Sequence, residues 1–142
     1  MIDFEDLGAY CENEWIEAKS AVGGLPESIW ETYSAFANTG GGYILLGVQE
    51  HKDKSLYAVR LPDPEGLMEE FWIQARDRMN ISANILTQDD VYFQPAGEYT
   101  IIVIRVPRAE WPYRPLYIAG DPHNVYVRVG ESDVMADPEE IH

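Results

Sequence analysis

The residues best suited to binding a charged ligand lie between positions 105 and 117. Three arginines and three aromatic residues occur in this stretch: Arg105, Arg108, Arg114, Trp111, Tyr113 and Tyr117. A guanidinium group can form two parallel hydrogen bonds with a phosphate, and an aromatic ring can stack on an unpaired base. The stretch therefore favours contact with single-stranded nucleic acid. The alternative is that its arginines form ion pairs with the abundant acidic side chains.

The overall charge opposes nucleic-acid binding. The 142 residues include 25 acidic and 10 basic side chains, and the net charge is −15. Such a charge keeps a protein soluble but repels polyphosphate at long range, whereas nucleic-acid-binding proteins are usually basic. A local basic groove within an acidic surface is one interpretation. A protein-interaction module, such as a homodimer, is another.

The sequence lacks the motifs of several common sites. No Gly-Lys-Ser or Gly-Lys-Thr occurs, so there is no P-loop and we do not expect ATP binding. Cys11 is the only cysteine, which excludes an internal disulfide, and its apolar spacing with Phe4 and Leu7 predicts a buried helical residue. No apolar run approaches the ~20 residues that cross a bilayer, and the N-terminus lacks a basic start. We expect a cytoplasmic protein without a membrane partner.

A helix over residues 26–39 is the clearest predicted element. Pro26 suits a first helical turn, and glutamates at 27 and 31 lie near the positive end of the helix dipole. We place these glutamates, with Thr32, on the exposed face. Apolar residues recur on the opposite face with helical spacing: Ile29, Trp30, Tyr33, Phe36 and Ala37. This pattern predicts one buried face.

A glycine run follows the helix and leads into a strand. Gly40, Gly41 and Gly42 allow the left-handed backbone that commonly ends a helix. Residues 43–48 are almost wholly apolar and too few for a helix, so they predict a strand buried on both faces. A glycine run after a helix faces the negative end of the helix dipole, so we do not expect it to bind phosphate.

The remaining pattern predicts a single α/β (α+β) domain, residues 1–142, with a mixed β-sheet and two main helices. The second helix spans 63–79, with Asp63 as its N-cap and Pro64 at its first position. A weaker helical pattern covers 2–11, and 107–115 contains three prolines and predicts a loop. The predicted strands are 15–19, 56–61, 81–86, 91–94, 99–106 and 125–129.

Several motifs resemble those of a known family. They are Glu-Asn-Glu-Trp-Ile-Glu-Ala-Lys at 12–19, Ser-Ala-Phe-Ala-Asn-Thr-Gly-Gly-Gly at 34–42, Leu-Leu-Gly-Val at 45–48, and Tyr-Val-Arg-Val-Gly at 126–130 followed by Ala-Asp-Pro-Glu-Glu-Ile at 136–141. Together they resemble the Schlafen AlbA-type DNA-binding domain. That domain is common at the N-terminus of bacterial regulators and was once described as a divergent AAA-type ATPase.

This resemblance implies a domain of a transcriptional-regulator-like protein, and the helix start at 137–140 suggests a longer parent chain. Lys19 and Arg128 lie within the matching motifs. We therefore add them to Arg105, Arg108 and Arg114 as expected nucleic-acid contacts.

The resemblance also implies an alternative, a metal-dependent ribonuclease. Schlafen-type nucleases use one acidic residue, a second five positions later near a lysine, and a third after the Gly-Val strand. Glu12, Glu17 and Glu50 resemble these three, and Lys19 follows the second. Such a set would bind Mg²⁺ or Mn²⁺ through hard carboxylate oxygens. The third position in those nucleases is usually Asp, and Gln49 leaves its alignment open. Solvated surface acids are the alternative interpretation.

Overall fold

The computed structural model describes residues 2–136, which form two α-helices, two short 3₁₀ helices and eight strands. The helices are α1 (Ile29–Asn38) and α2 (Pro64–Ala75), and the 3₁₀ helices span Phe4–Ala9 and Gln88–Asp90. The strands are β1 (Ile16–Lys19), β2 (Gly42–Leu46), β3 (Val48–Glu50), β4 (Leu56–Ala58), β5 (Val91–Ala96), β6 (Tyr99–Val106), β7 (Val125–Val129) and β8 (Ser132–Ala136). None of the helices in this part of the chain is long and apolar enough to cross a membrane.

The predicted mixed sheet is confirmed. Four strands form it in the order β1-β2-β6-β5, with β1 parallel to β2 and the other neighbours antiparallel. Strands β3 and β4 form a separate antiparallel pair, and β7 pairs with β8 in a hairpin. The edge strand β1 carries Glu17 and Lys19, so the sheet brings these side chains to one border of the molecule.

Strand β2 lies at the centre of the core, as its apolar run predicts. Ile44 and Leu46 join the cluster that packs under α1, while Leu45 joins the cluster on the other side of the sheet. All three are fully buried. The strand is shorter than predicted because Gly47, with φ +93, turns the chain, and Val48 begins a strand that pairs with β4 instead.

Helix α1 is buried almost all round, which the one-faced pattern did not predict. It begins at Ile29 rather than at residue 26, and its predicted inner face is buried as expected. The prediction of an exposed face at Thr32 was wrong, because β7 packs against α1 and Thr32 Oγ1 donates to Asp133 Oδ2 over 2.6 Å. The buried Asn38 amide Nδ2 donates to the carbonyls of Leu116 and Tyr126 over 2.9 and 3.0 Å.

The predicted strand at 81–86 is wrong. This segment is irregular, and side chains rather than a neighbouring strand satisfy two of its backbone amides: Ile85 N–H donates to Tyr33 Oη, and Leu86 N–H donates to Asn84 Oδ1. These two amides therefore have acceptors without a partner strand.

Other boundaries also differ from the predictions. Helix α2 ends at Ala75 rather than at residue 79, and Cys11 is exposed rather than buried, because only a 3₁₀ helix ending at Ala9 precedes it. Strand β8 was not predicted. The helix start at 137–140 lies outside the described residues.

Candidate functional site

The three predicted carboxylates come together beside the free edge of β1. Glu12 Oε2 accepts a hydrogen bond from the outward-facing Ala18 N–H over 2.9 Å. Partial burial, together with the neighbouring carboxyls of Glu50 and Glu17, raises the pKa of Glu12 from 4.5 to about 8, although the hydrogen bond from Ala18 N–H lowers it. Carboxyls that share one region disfavour the second charge, so the neutral form of Glu12 is favoured.

Nearby cations compensate the rest of this acidic cluster, which we define as Glu12, Glu17 and Glu50. Lys19 Nζ lies 3.6 Å from Glu17 and donates to Ser28 Oγ over 3.0 Å. Lys54 Nζ lies 3.8 Å from Glu50. The cluster has the donor chemistry that Mg²⁺ or Mn²⁺ prefers. Across residues 2–136, however, no three His, Cys, Asp or Glu side chains are arranged to hold a metal ion as they stand.

Arg128 lies beneath the acidic cluster rather than on the surface. Its side chain is 0% exposed, and its Nη1 lies 2.9 Å from Glu17 and 2.8 Å from Asp133. Its remaining nitrogens donate to the backbone carbonyls of Asn13 and Ile16. A guanidinium whose donors are all used inside the fold has none left for a phosphate, so in this placement Arg128 positions Glu17 and does not reach a ligand.

The predicted arginines have different partners in the fold. Arg105 is exposed, but its Nη2 lies 2.7 Å from the buried carboxylate of Asp90. This pair follows the alternative interpretation, in which arginines neutralise acids. Arg108 is exposed, and the described part of the chain provides no carboxylate within ion-pair distance of it.

Arg114 is a buried cation without an ion-pair partner in residues 2–136. It is 9% exposed, its guanidinium carbon lies 4.8 Å from the centre of the Trp111 ring, and its buried Nε forms no hydrogen bond in that range. Trp111 and Tyr113 are 53% and 58% exposed. The loop 107–115 thus presents two aromatic rings beside a cation whose charge is not neutralised.

Sequence reasoning missed Asp133 and Asn84. Asp133 holds Arg128 from the unpredicted strand β8, and a charged pair five residues apart across a tight turn was the only signal for it. Asn84 lines a cavity beside the loop 107–115. Its partners are Tyr33 on α1 and the nearby Leu86 N–H, and the contact with Tyr33 could not be read from the local sequence.

Comparisons with known proteins agree on the family and the fold. The profile of the family described as Schlafen, AlbA_2 matches residues 12–137. The solution NMR structure of the N-terminal domain of an ATP-dependent DNA helicase RecG-related protein from Nitrosomonas europaea is 30% identical, with a TM-score of 0.66, and the match covers 96% of this chain and 94% of that one.

The DIP2311 protein from Corynebacterium diphtheriae is more distant. It is 19% identical with a TM-score of 0.58, and the match covers 87% of this chain but only 22% of that one. This likeness concerns the fold. A search of curated proteins gives no significant match.

Proposed function

Because the chain belongs to the Schlafen AlbA_2 family, we propose that it is a nucleic-acid-binding domain of a regulatory protein and that single-stranded nucleic acid contacts the loop 107–115. The related N-terminal domain comes from a DNA helicase-related protein, which supports a partner of this class.

The unpaired charge of Arg114 is the observation that carries this proposal. Removing a cation from water without a counter-ion is costly, so buried arginines usually face a carboxylate. Arg114 instead stacks on Trp111 and has an orphan Nε. A phosphate group on the loop would supply the missing anion, and the exposed Trp111 ring would offer a surface for a neighbouring base.

The local charge of the loop differs from that of the whole chain. Segment 107–115 contains two arginines and one glutamate, so it is positive within a protein whose net charge is −15. An acidic exterior would then keep long duplexes away while a short single strand reaches this loop. We therefore expect weak affinity that depends steeply on salt.

Fluorescence polarisation with a labelled single-stranded RNA, a single-stranded DNA and a duplex DNA tests the proposal over a range of salt. The variants are Arg108→Ala and Arg114→Gln. The matched control is Arg76→Ala, which removes one exposed positive charge at the end of α2. Each loop variant should weaken single-strand binding and reduce the salt slope by about one.

Equal losses in all three variants would show a general charge effect and contradict binding at the loop. Absence of binding at low salt would contradict the proposal as a whole. A mass that rises with concentration in light scattering, without nucleic-acid binding, would support the interaction-module hypothesis instead.

A second candidate function, metal-dependent RNA cleavage, is favoured by one observation: Glu12, Glu17 and Glu50 share one region next to Lys19. A Mg²⁺ or Mn²⁺ ion there would activate water and offset charge on the phosphodiester. This function requires that Glu12 lose its proton. It also requires that the side chain of Glu17 reorient. Lys19 would hold the adjacent phosphate.

Cleavage of labelled RNA with and without Mn²⁺ tests this candidate. Glu12→Gln and Glu50→Gln should abolish cleavage, while Glu65→Gln, at the first turn of α2, should leave it unchanged. Cleavage that persists in both cluster variants, or without divalent metal, would rule out the acidic cluster as its source.

A further inference from the structure

A cavity of about 440 Å³ opens beside the loop 107–115 and differs from the acidic cluster. Its volume falls within the range of ~300–1,000 Å³ that small-ligand sites occupy. Six of its lining residues bear on the inference: Asn84, Ile85, Leu86, Arg108, Glu110 and Tyr113. We call this cavity the Asn84 pocket.

The side chain of Asn84 is oriented from inside the protein. Tyr33, fully buried on α1, donates its hydroxyl hydrogen to Asn84 Oδ1 over 2.8 Å. Leu86 N–H donates to the same oxygen over 3.2 Å. Tyr33 Oη in turn accepts from Ile85 N–H over 2.9 Å. Both lone pairs of the amide oxygen therefore accept hydrogen bonds. If Oδ1 and Nδ2 exchanged places, the amide nitrogen would face the Leu86 N–H, and two donors would meet.

This network leaves the Asn84 amide nitrogen for a ligand. Within residues 2–136 Nδ2 has no hydrogen-bond partner, and it is not among the buried orphan atoms, so it faces accessible space. Burial raises the pKa of Tyr33 far above its ordinary value, so its hydroxyl keeps the proton that fixes the orientation. A prearranged donor at the wall of a half-apolar cavity is typical of a binding site.

We propose that the Asn84 pocket holds one unpaired nucleobase, which stacks on Tyr113 and accepts a hydrogen bond from Asn84 Nδ2. This inference rests on the proposed nucleic-acid binding and deepens it from phosphate contact to base contact. Every nucleobase has ring or carbonyl acceptors on its edge.

The other groups of the pocket suit the same ligand. Ile85 and Leu86 supply an apolar wall for the second face of a base, and the exposed Arg108 lies where it can pair with the adjoining phosphate. Glu110 can accept from an exocyclic or ring N–H of the base. Its negative charge disfavours a free phosphate in the pocket. A base is therefore the better occupant, with its phosphate outside the pocket and paired with Arg108.

The test compares two labelled single-stranded RNAs of equal length by fluorescence polarisation, one normal and one abasic throughout. The abasic strand keeps every phosphate, so the ratio of the two affinities isolates base contact. A 2-aminopurine strand gives a second readout, because stacking on a ring quenches its fluorescence.

Asn84→Asp is the sharpest variant. It keeps the oxygen that accepts from Tyr33 and Leu86 and replaces only the outward donor, so the fold should persist. Asn124→Asp adds the same charge outside the pocket and serves as its control. Tyr113→Ala removes the stacking ring and Tyr113→Phe retains it. Phe93→Ala removes an aromatic residue, 42% exposed, on β5.

We expect the normal strand to bind at least about five-fold more tightly than the abasic strand. Asn84→Asp and Tyr113→Ala should remove this preference and the quenching, whereas Tyr113→Phe, Asn124→Asp and Phe93→Ala should keep both. Equal affinity for the two strands would contradict base binding in the Asn84 pocket and would leave the proposal of phosphate binding at the loop intact. Absence of binding to either strand would overturn both.

Discussion

Arg128 Nη1 lies 2.9 Å from Glu17 Oε1, and the guanidinium that makes this contact is completely buried. The two residues stand 111 positions apart in sequence, yet the pair holds the acidic cluster in place from below. The Phe36 ring covers the guanidinium at 4.8 Å. Arg128 is thus a positioning residue for the cluster and part of the core.

Replacing Arg128 by Met should lower the free energy of unfolding by about 3–5 kcal/mol. The change removes the guanidinium that pairs with Glu17 and Asp133, although Glu17 keeps Lys19, and it removes donors from the carbonyls of Asn13 and Ile16. Urea unfolding of both proteins measures the difference. Arg76→Met, at an exposed position, should stay within about 0.5 kcal/mol of the unmodified protein. A loss below 1 kcal/mol for Arg128→Met would show that the buried pair is not structural.

Asn38→Ala should cost about 2–4 kcal/mol, because it removes the acceptor of the buried Leu116 N–H and donors to two carbonyls. Asn38 accepts from Leu116 N–H over 2.8 Å and donates to the carbonyls of Leu116 and Tyr126. Thermal and urea unfolding report the loss. Asn124→Ala is the comparison, and similar losses for both would argue against the network.

Gly42→Ala should destabilise the protein by roughly 1–3 kcal/mol through overpacking. A Cβ at this position would come within 2.5 Å of the Phe36 ring, which is fully buried, so the ring or the strand would have to shift. At Gly8 a Cβ would meet nothing within 4 Å, so Gly8→Ala is the matched control. Urea midpoints that coincide for the two variants would contradict this account of β2 packing against α1.

The stability of the protein should fall as pH rises from 4.5 toward about 8, the interval between the ordinary pKa of Glu12 and its folded value. Over that interval the folded state holds a proton on Glu12 that the unfolded state releases, so raising pH favours unfolding. The partly exposed carboxyl is screened by solvent, which limits the effect to about 1–2 kcal/mol.

Glu12→Gln should remove this decline, because the amide stays neutral at every pH. Urea unfolding of both proteins across the interval gives the two slopes. Glu65→Gln, on the surface of α2, should keep the slope of the unmodified protein. Parallel slopes for Glu12→Gln and the unmodified protein would place the titration elsewhere.

The core elements could be predicted from the sequence because their patterns are local. The apolar run before Gly47 and the spacing of Ile29, Tyr33 and Phe36 predict β2 and α1 without knowledge of their neighbours. Tyr99–Val106 and Val125–Val129 were also predicted with the bounds that the structure gives. The meeting of Glu12 with Glu17 and Glu50 followed from the family resemblance, since charge patterns alone do not single out three of 25 acids.

The polar contacts between segments far apart in sequence could not be predicted. Arg128 was expected to contact nucleic acid, and only the packing of β7 on α1 makes it a buried partner of Glu17. The segment 81–86 has the composition of a strand. Its Ile85 amide donates to Tyr33 on α1 instead of to another strand, so a tertiary hydrogen bond overrides the local propensity.

The β7–β8 hairpin has a consequence for the order in which this chain acquires its structure. Arg128 contacts three residues near the N-terminus, Asn13, Ile16 and Glu17, and Asp133 contacts Thr32. These contacts cannot form until the hairpin has been synthesised. During synthesis the ribosome must therefore extend the chain as far as Asp133 before β1 and α1 can complete their polar contacts. Pairings of such long separation form late and slowly. A nascent chain that stops before the hairpin leaves the carboxylates at its beginning without the cation that positions them.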